Sequence, residues 1–350
     1  MDKTDFNLAC PIPKNDYDKI LLAHGGGGIL SNQLIQKIFF SQFDNELLNV
    51  QHDSAMFNIN GVRLAFTTDS YVVQPIFFPG GNIGDLAVNG TVNDLAVSGA
   101  KPLYISVGFI IEEGFEIEEL WRIVLSMKQA AEKAGVKIVT GDTKVVNKGK
   151  GDKIFINTSG IGTIETGIDI SPINVQPGDV IILNGKIAEH GIAILSAREG
   201  LEFETTIKSD TAALNDLIDR ILKTSKKINV MRDPTRGGLA SALNEIANKG
   251  NVGIAIEEDK ILISEEVKGA CEILGLDPLY IANEGKVLVF VPKDDADKVL
   301  NAMKNHPLGK ESSIIGSVTA ENKNLVIMKT MIGSSRIVDM ISGEQLPRIC

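Results

Sequence analysis

Ser171-Pro172-Ile173-Asn174-Val175-Gln176-Pro177-Gly178-Asp179 divides the chain. Each proline removes a backbone donor and turns the residue before it away from helix, and Gly178-Asp179 adds a turn. A domain boundary is expected here. On the amino-terminal side, residues 63–68, 103–111, 136–140 and 154–164 read as strands and 86–98 as a helix. Ile117, Leu120, Trp121, Val124, Met127, Lys128 and Ala131 trace a second, amphipathic helix that stops at Gly135. On the carboxyl side, strands at 180–183, 252–256, 287–291 and 312–318 alternate with helices at 188–198, 209–226, 236–249 and 294–304. No G-x-G-x-x-G follows a first strand, which argues against a standard dinucleotide fold. The fold class predicted is α/β (α+β), two mixed α/β domains. The divisions expected are an arm (1–50), an amino-terminal domain (51–168), a carboxyl-terminal domain (169–341) and a mobile tail (342–350). In the arm, Ser31 is read as the N-cap of a helix with Leu34, Ile35, Ile38, Phe39, Phe43 and Leu47 near one face.

Composition narrows the function. The 350 residues include 45 acidic and 35 basic side chains, a net charge of −10. Such a surface repels phosphate backbones and argues against a general nucleic-acid binder, while leaving room for a local cationic pocket. No apolar stretch approaches a membrane span, and residues 1–14 lack the apolar run of a signal peptide. Cys10, Cys271 and Cys350 lie far apart, without zinc or disulfide spacing, which fits a reducing cytosol and a cytoplasmic protein.

Four features could carry chemistry. Gly25-Gly26-Gly27-Gly28 reads equally as a hinge or as backbone that curls around an anion; without a Gly-Lys-Ser/Thr ending it is not a Walker loop. Asp53, Asp69, Asp94, Asp142 and Asp233 lie at strand or helix ends or, for Asp94, inside a helical run. Hard carboxylate oxygens suit Mg²⁺, yet Asp also caps turns, and only Asp94 demands a partner or a metal by its position. Gly141-Asp142-Thr143-Lys144 and Asn283-Glu284-Gly285-Lys286 offer a Lys and a Glu for acid–base work if the fold joins them. Finally, Pro347-Arg348-Ile349-Cys350 ends in a thiol whose pKa the α-carboxylate raises, with Arg348 as a cationic neighbour.

Taken in order, these motifs resemble one family. The Gly-rich arm, Thr67-Thr68-Asp69, the run Asn89-Gly90-Thr91-Val92-Asn93-Asp94-Leu95-Ala96, Thr140-Gly141-Asp142-Thr143-Lys144-Val145-Val146, Asp233-Pro234-Thr235-Arg236-Gly237-Gly238 and the terminal Pro-Arg-Ile-Cys are similar to those of the HypE hydrogenase-maturation factors. That family lies within the aminoimidazole ribotide synthetase and selenophosphate synthetase superfamily. The likeness runs from about residue 20 to 350. It implies a homodimer paired through the amino-terminal domains, with ATP and Mg²⁺ as cofactors. Asp53, Asp69, Asp94 and Asp233 are implied Mg²⁺–ATP ligands, Asp142 a further ATP-site residue, and Gly25 to Gly28 a phosphate lid. Lys144 and Glu284 are the implied pair beside Cys350. The implied reaction dehydrates a carbamoyl group on Cys350 to a thiocyanate at the expense of ATP. A HypF-like carbamoyltransferase is the implied donor and an iron-holding HypC–HypD-like scaffold the acceptor. One departure stands out: the family reads Ser-Gly-Thr-Ile-Gly-Asp-His-Gly where this chain has Asn184-Gly185-Lys186-Ile187-Ala188-Glu189-His190-Gly191, so a role for Glu189 does not carry over. The alternatives are a superfamily enzyme acting on a free small molecule, and a non-enzymatic tether acting through Cys350.

Overall fold

The computed structural model describes residues 17–199 and 207–341. The arm forms α1 (Ile29–Leu34), a π-helical stretch (Ile35–Phe40) and α2 (Ser41–Phe43). This corrects the expectation for Ser31. Gly28 is the N-cap, and the Ser31 hydroxyl, inside the first turn, accepts the Gly27 N–H at 2.9 Å. The helical run stops at Phe43, and the Asn45 carboxamide accepts the next free amides, Leu47 and Leu48 N–H, at 3.0 Å. Leu47 therefore lies outside the helix.

The amino-terminal half then runs β1 (Ala55–Ile59), β2 (Val62–Tyr71), a small β3 (Phe77–Phe78)/β4 (Gly81–Asn82) hairpin, α3 (Ile83–Val97), β5 (Ala100–Glu112), α4 (Ile117–Ala134), β6 (Lys137–Val146) and β7 (Ile154–Ile164). Its sheet has the order β1-β2-β7-β5-β6, antiparallel except where β5-α4-β6 makes a parallel crossover. In β7 the residues toward α3 are buried in strict alternation, as expected when one sheet face packs on helices. The opposite face is open: Phe66, Tyr104 and Ile110 are exposed, and β6 is exposed along nearly its whole length.

Helix α3 is buried almost all round, because the sheet covers one side and the second half of the chain the other. Two glycines allow that close fit. A Cβ on Gly90 would strike the Tyr71 hydroxyl, and one on Gly160 would come within 2.7 Å of Thr91.

The quoted Pro/Gly stretch forms a 3₁₀ turn (Pro172–Asn174) leading into β8 (Asp179–Leu183). The Asp179 carboxylate accepts the Gln176 N–H at 2.9 Å and so braces the Pro177-Gly178 turn. There follow α5 (Glu189–Glu199), α6 (Asn215–Thr224), β9 (Val230–Arg232), α7 (Gly238–Gly250), β10 (Gly253–Glu257), α8 (Glu265–Leu274), β11 (Leu288–Pro292), α9 (Lys293–Lys304), β12 (Ser313–Thr319), β13 (Val326–Lys329) and β14 (Ser335–Ile337). The sheet order is β14-β13-β10-β12-β8-β11-β9. The helix expected over 209–226 begins only at Asn215, because Ala212 and Leu214 spend their backbone groups on Asn93 of α3. One core cluster spans both halves, joining Ala65 and Leu95 to Ile182, Leu217 and Val289. No described helix is long and apolar enough to cross a membrane.

Candidate active site

Three of the predicted aspartates converge. Asp53 lies in the loop before β1, Asp94 near the end of α3 and Asp233 just after β9, and one carboxylate oxygen from each lies within 4.8 Å of the others. The Thr67 hydroxyl on β2 ties two of them together, 2.8 Å from both Asp94 Oδ2 and the Asp53 carbonyl oxygen. Ser54 donates to the Asp94 carbonyl at 3.0 Å. Arg232 pairs with Asp53 at 2.5 Å and with Glu245 at 2.8 Å. The predicted fourth member, Asp69, sits beside the cluster and accepts the Tyr71 hydroxyl at 2.9 Å.

The charge here is out of balance. Burial, then the repulsion of Asp69, Asp233 and Asp53, drives the Asp94 carboxyl well above the usual carboxylate range. Asp233 is pushed up to about 7 by burial and by Asp53. Burial also raises Asp69, though Arg236 and Tyr71 pull it back. Burial acts on Asp53 too, but Arg232 and His52 more than offset it and hold the acid low. Asp53 Oδ2 is buried with no hydrogen-bond partner among the described residues. Hard oxygens, close spacing, mutual repulsion and one orphaned oxygen fit a Mg²⁺ ion.

A cavity of about 700 Å³ opens on this cluster. Gly25, Gly27 and Asp53 line it, with Arg232, Arg236 and Lys249 supplying positive charge. Gly27 has φ +71°, and a Cβ there would lie 2.8 Å from Arg236 Cβ. Gly28 packs directly on Ile341, whose carbonyl accepts the Ile29 N–H at 2.9 Å. Asn32 reaches Met340 Sδ at 3.1 Å. Gly28, Ile29 and Asn32 thus hold the root of the carboxyl-terminal segment at the cavity. The predicted residues Arg348 and Cys350, and the predicted tail 342–350, lie outside the described residues. From Ile341 the remaining nine residues span at most about 30 Å.

Glu284 belongs to a second buried group that adjoins the first: Asn283 donates to the Pro234 carbonyl, beside Asp233, at 3.2 and 2.9 Å, and the Glu284, Asp69 and Asp94 carboxylates all act on the Tyr71 hydroxyl. The Glu284 N–H and that of Gly285 donate to the two oxygens of Asp210 at 3.1 and 3.2 Å. Its carbonyl accepts from Asn93, the neighbour of Asp94, at 3.3 Å. Lys286 pairs with Asp210 at 3.0 Å and Glu189 at 3.6 Å. Glu189, the departure from the family pattern, is thus part of a closed ionic group. His190 Nδ1 meets Ser209 Oγ at 2.7 Å, its ring lies edge-on to Phe78, and its charge helps hold the Asp210 acid low.

Asp142 and Lys144 stand apart. They pair with each other at 2.7 Å, largely exposed, on the open face of edge strand β6. Cross-strand register puts Asp142 level with Gly108, Asn157 and Ser70, three strand spacings or about 14 Å away from β2. Within one chain they join neither the aspartate cluster nor the Glu284 loop. Tyr71, Asn93, Asp210, Arg232 and Lys286 were not legible as site residues. Only a Gly-flanked acid, as in Asn283-Glu284-Gly285-Lys286, hinted at a loop needing support.

Comparison with known proteins identifies the family. Residues 51–164 match the model described as AIR synthase related protein, N-terminal domain, and residues 176–329 its C-terminal domain. The carbamoyl dehydratase HypE of Cupriavidus necator is 53% identical over 95% of each chain. A solved HypE–HypF complex contains a chain 52% identical, with TM-score 0.84, covering 88% of this chain and 99% of that one. A HypE solved in complex with ATP is 46% identical with TM-score 0.80, covering 95% and 100%. The chain that joins these glycines, aspartates and the Glu284 loop therefore belongs to the HypE carbamoyl dehydratase family.

Proposed function

We propose that this chain dehydrates a carbamoyl group carried on the Cys350 thiol to a thiocyanate, using ATP, and so supplies cyanide for the iron centre of a [NiFe]-hydrogenase. The carbamoyl oxygen attacks the γ-phosphorus of ATP and ADP leaves. The carbamoyl group loses two N–H protons in all, one to solvent as its oxygen is phosphorylated and the second to Glu284 from the activated group. The former carbonyl oxygen departs within phosphate, leaving S–C≡N, and the net change is loss of water coupled to ATP hydrolysis. Asp53, Asp94 and Asp233, with Asp69 beside them, are the proposed Mg²⁺ set. When bound, Mg²⁺ offsets charge on the transferring phosphoryl group. Gly25 and Gly27, with the cations Arg232 and Arg236, line the proposed nucleotide pocket; Gly26 and Gly28 complete the proposed phosphate lid, and Arg348 is proposed to lower the Cys350 pKa.

The observation that carries this reading is the seat of Ile341 against Gly28: the segment bearing the terminal thiol starts at the rim of the cationic, acid-lined cavity. A HypF-like carbamoyltransferase is the proposed donor, in keeping with the HypE–HypF complex, and a HypC–HypD-like scaffold the proposed acceptor, in the cytoplasm. We further propose the domain division at 168/169 and a homodimer that covers the open face of the five-stranded sheet. Lys144 lies on that face, opposite to α3, so its proposed influence on Glu284 falls to the second copy; Asp142 supports it there as its ion-pair partner. Mass spectrometry of the carboxyl-terminal peptide tests the reaction. A gain of about 43 Da on carbamoylation should become about 25 Da after ATP is added. Persistence of the carbamoyl adduct with ATP and Mg²⁺ present would sink the proposal.

A further inference from the structure

The Glu284 loop is gripped from two sides by residues far away in sequence. Asp210, only 3% exposed at its side chain, accepts the consecutive N–H groups of Glu284 and Gly285. Asn93 of α3 donates to the Glu284 carbonyl. Gly285 is needed for this seat, because a Cβ there would collide with the Asp210 carbonyl oxygen. The Asp210 carboxylate is not left as a naked buried charge: Lys286 lies 3.0 Å away and itself reaches Glu189. Burial works against ionisation of Asp210, but Lys286, His190 and the loop amides outweigh it and hold the acid low. A permanently ionised acceptor makes stronger hydrogen bonds to two amides than a neutral one.

We infer that Asp210 is a positioning residue for Glu284, with Lys286 and Glu189 as its ionic brace, and that it serves the proton-abstraction step and not nucleotide binding. This rests on the reading of Glu284 as the base. A carboxylate displaced by an ångström or so loses about 100-fold in rate, whereas the nucleotide pocket, which Asp210, Lys286 and Glu189 do not line, keeps its lining residues. Phosphoryl transfer then continues without dehydration. Water takes the phosphoryl group from the activated carbamoyl oxygen, which regenerates carbamoyl-Cys350 and phosphate, so ATP is consumed without thiocyanate.

The test compares ADP formed with thiocyanate formed in the full-length protein carrying carbamoyl-Cys350, at saturating Mg²⁺ and ATP. Wild type should give about one ADP per thiocyanate. Asp210→Asn, which keeps one acceptor oxygen and the side-chain volume, should slow thiocyanate formation by about 100-fold. Its KM for ATP should stay within about twofold and its ADP-to-thiocyanate ratio should rise above about ten. Glu189→Gln should show the same uncoupling more weakly. A merely structural role would lower both products together and leave their ratio at one; that result, or an unchanged thiocyanate rate, overturns the inference. Failure of wild type to form thiocyanate, or full coupling in Glu284→Gln, would instead overturn the reaction or the base on which the inference rests.

Discussion

Two buried acidic groups meet near the end of α3, and the chain handles them in opposite ways. In the first, Asp53, Asp94 and Asp233 crowd together with Asp69 nearby, and Arg232 answers only Asp53 closely. In the second, Asp210 and Glu189 close around Lys286, and the remaining lone pairs of Asp210 go to backbone amides. The first group is left frustrated, with acids pushed toward protonation and an Asp53 oxygen that accepts no hydrogen bond among the described residues and has only His52 Nδ1 3.6 Å away. The second is satisfied by the chain itself. Buried charge without an internal counterion has to be completed from outside, whereas buried charge with one can act as a bracket. Adjacent residues of α3, Asn93 and Asp94, serve the two groups, so one helix sets the distance between them.

The contrast can be broken at either end. The largest effect is expected from Asp94→Ala, which should weaken Mg²⁺-dependent nucleotide binding and activity by about 1,000-fold yet not destabilise the metal-free fold, since a repelling acid is removed. Calorimetric titration with and without a chelator checks the first part and thermal melting the second. Lys286→Met should do the reverse on stability: it strands Asp210 and Glu189 and should cost about 3–5 kcal/mol in urea denaturation. Gly90→Ala pushes a methyl into the Tyr71 hydroxyl and should cost about 1–3 kcal/mol, recovered in part by adding Tyr71→Phe. The frustrated group also predicts a pH dependence. The folded-state pKa of Asp233, about 7, lies above its ordinary 3.8, so the folded state binds more protons than the unfolded in that window. Metal-free stability should therefore fall as pH rises from about 4 to about 7, and Mg²⁺ should flatten the slope; a rise over that range would contradict the assigned frustration. The smallest effect belongs to Lys144→Ala. Its surface ion pair should contribute below about 1 kcal/mol to stability, so any large loss of thiocyanate formation would report chemistry and not folding.

Sequence carried the architecture where local periodicity is strong. The alternation of β7, the amphipathic α4 ending at Gly135 and the Pro172–Asp179 break all appear in the structure near their expected positions. It failed where tertiary bonds override local preference: residues 209–214 continue a helical pattern but are drawn out to meet Asn93 and the Glu284 loop. Short strands such as β9 and β14, of three residues each, carry too little periodicity to be read. Within the site, Asp94 was legible because a charge inside an apolar helix needs a reason. Asp210 was not, because an acid just before a helix looks like an ordinary cap, and its partners lie more than 70 residues away. Asp142 shows the converse limit: its motif is family-specific, but no spacing in one chain says that it faces away from the other aspartates.

The seat of Ile341 on Gly28 has a consequence for concentration. A thiol leashed there by nine residues is confined to a sphere of radius about 30 Å, in which one molecule averages about 15 mM. On the proposed reaction the site sees its own cysteine at that level, whatever the amount of protein in the cell. While the proposed dimer persists, diluting the protein should leave dehydration per chain unchanged and slow the encounters that load and unload the sulfur.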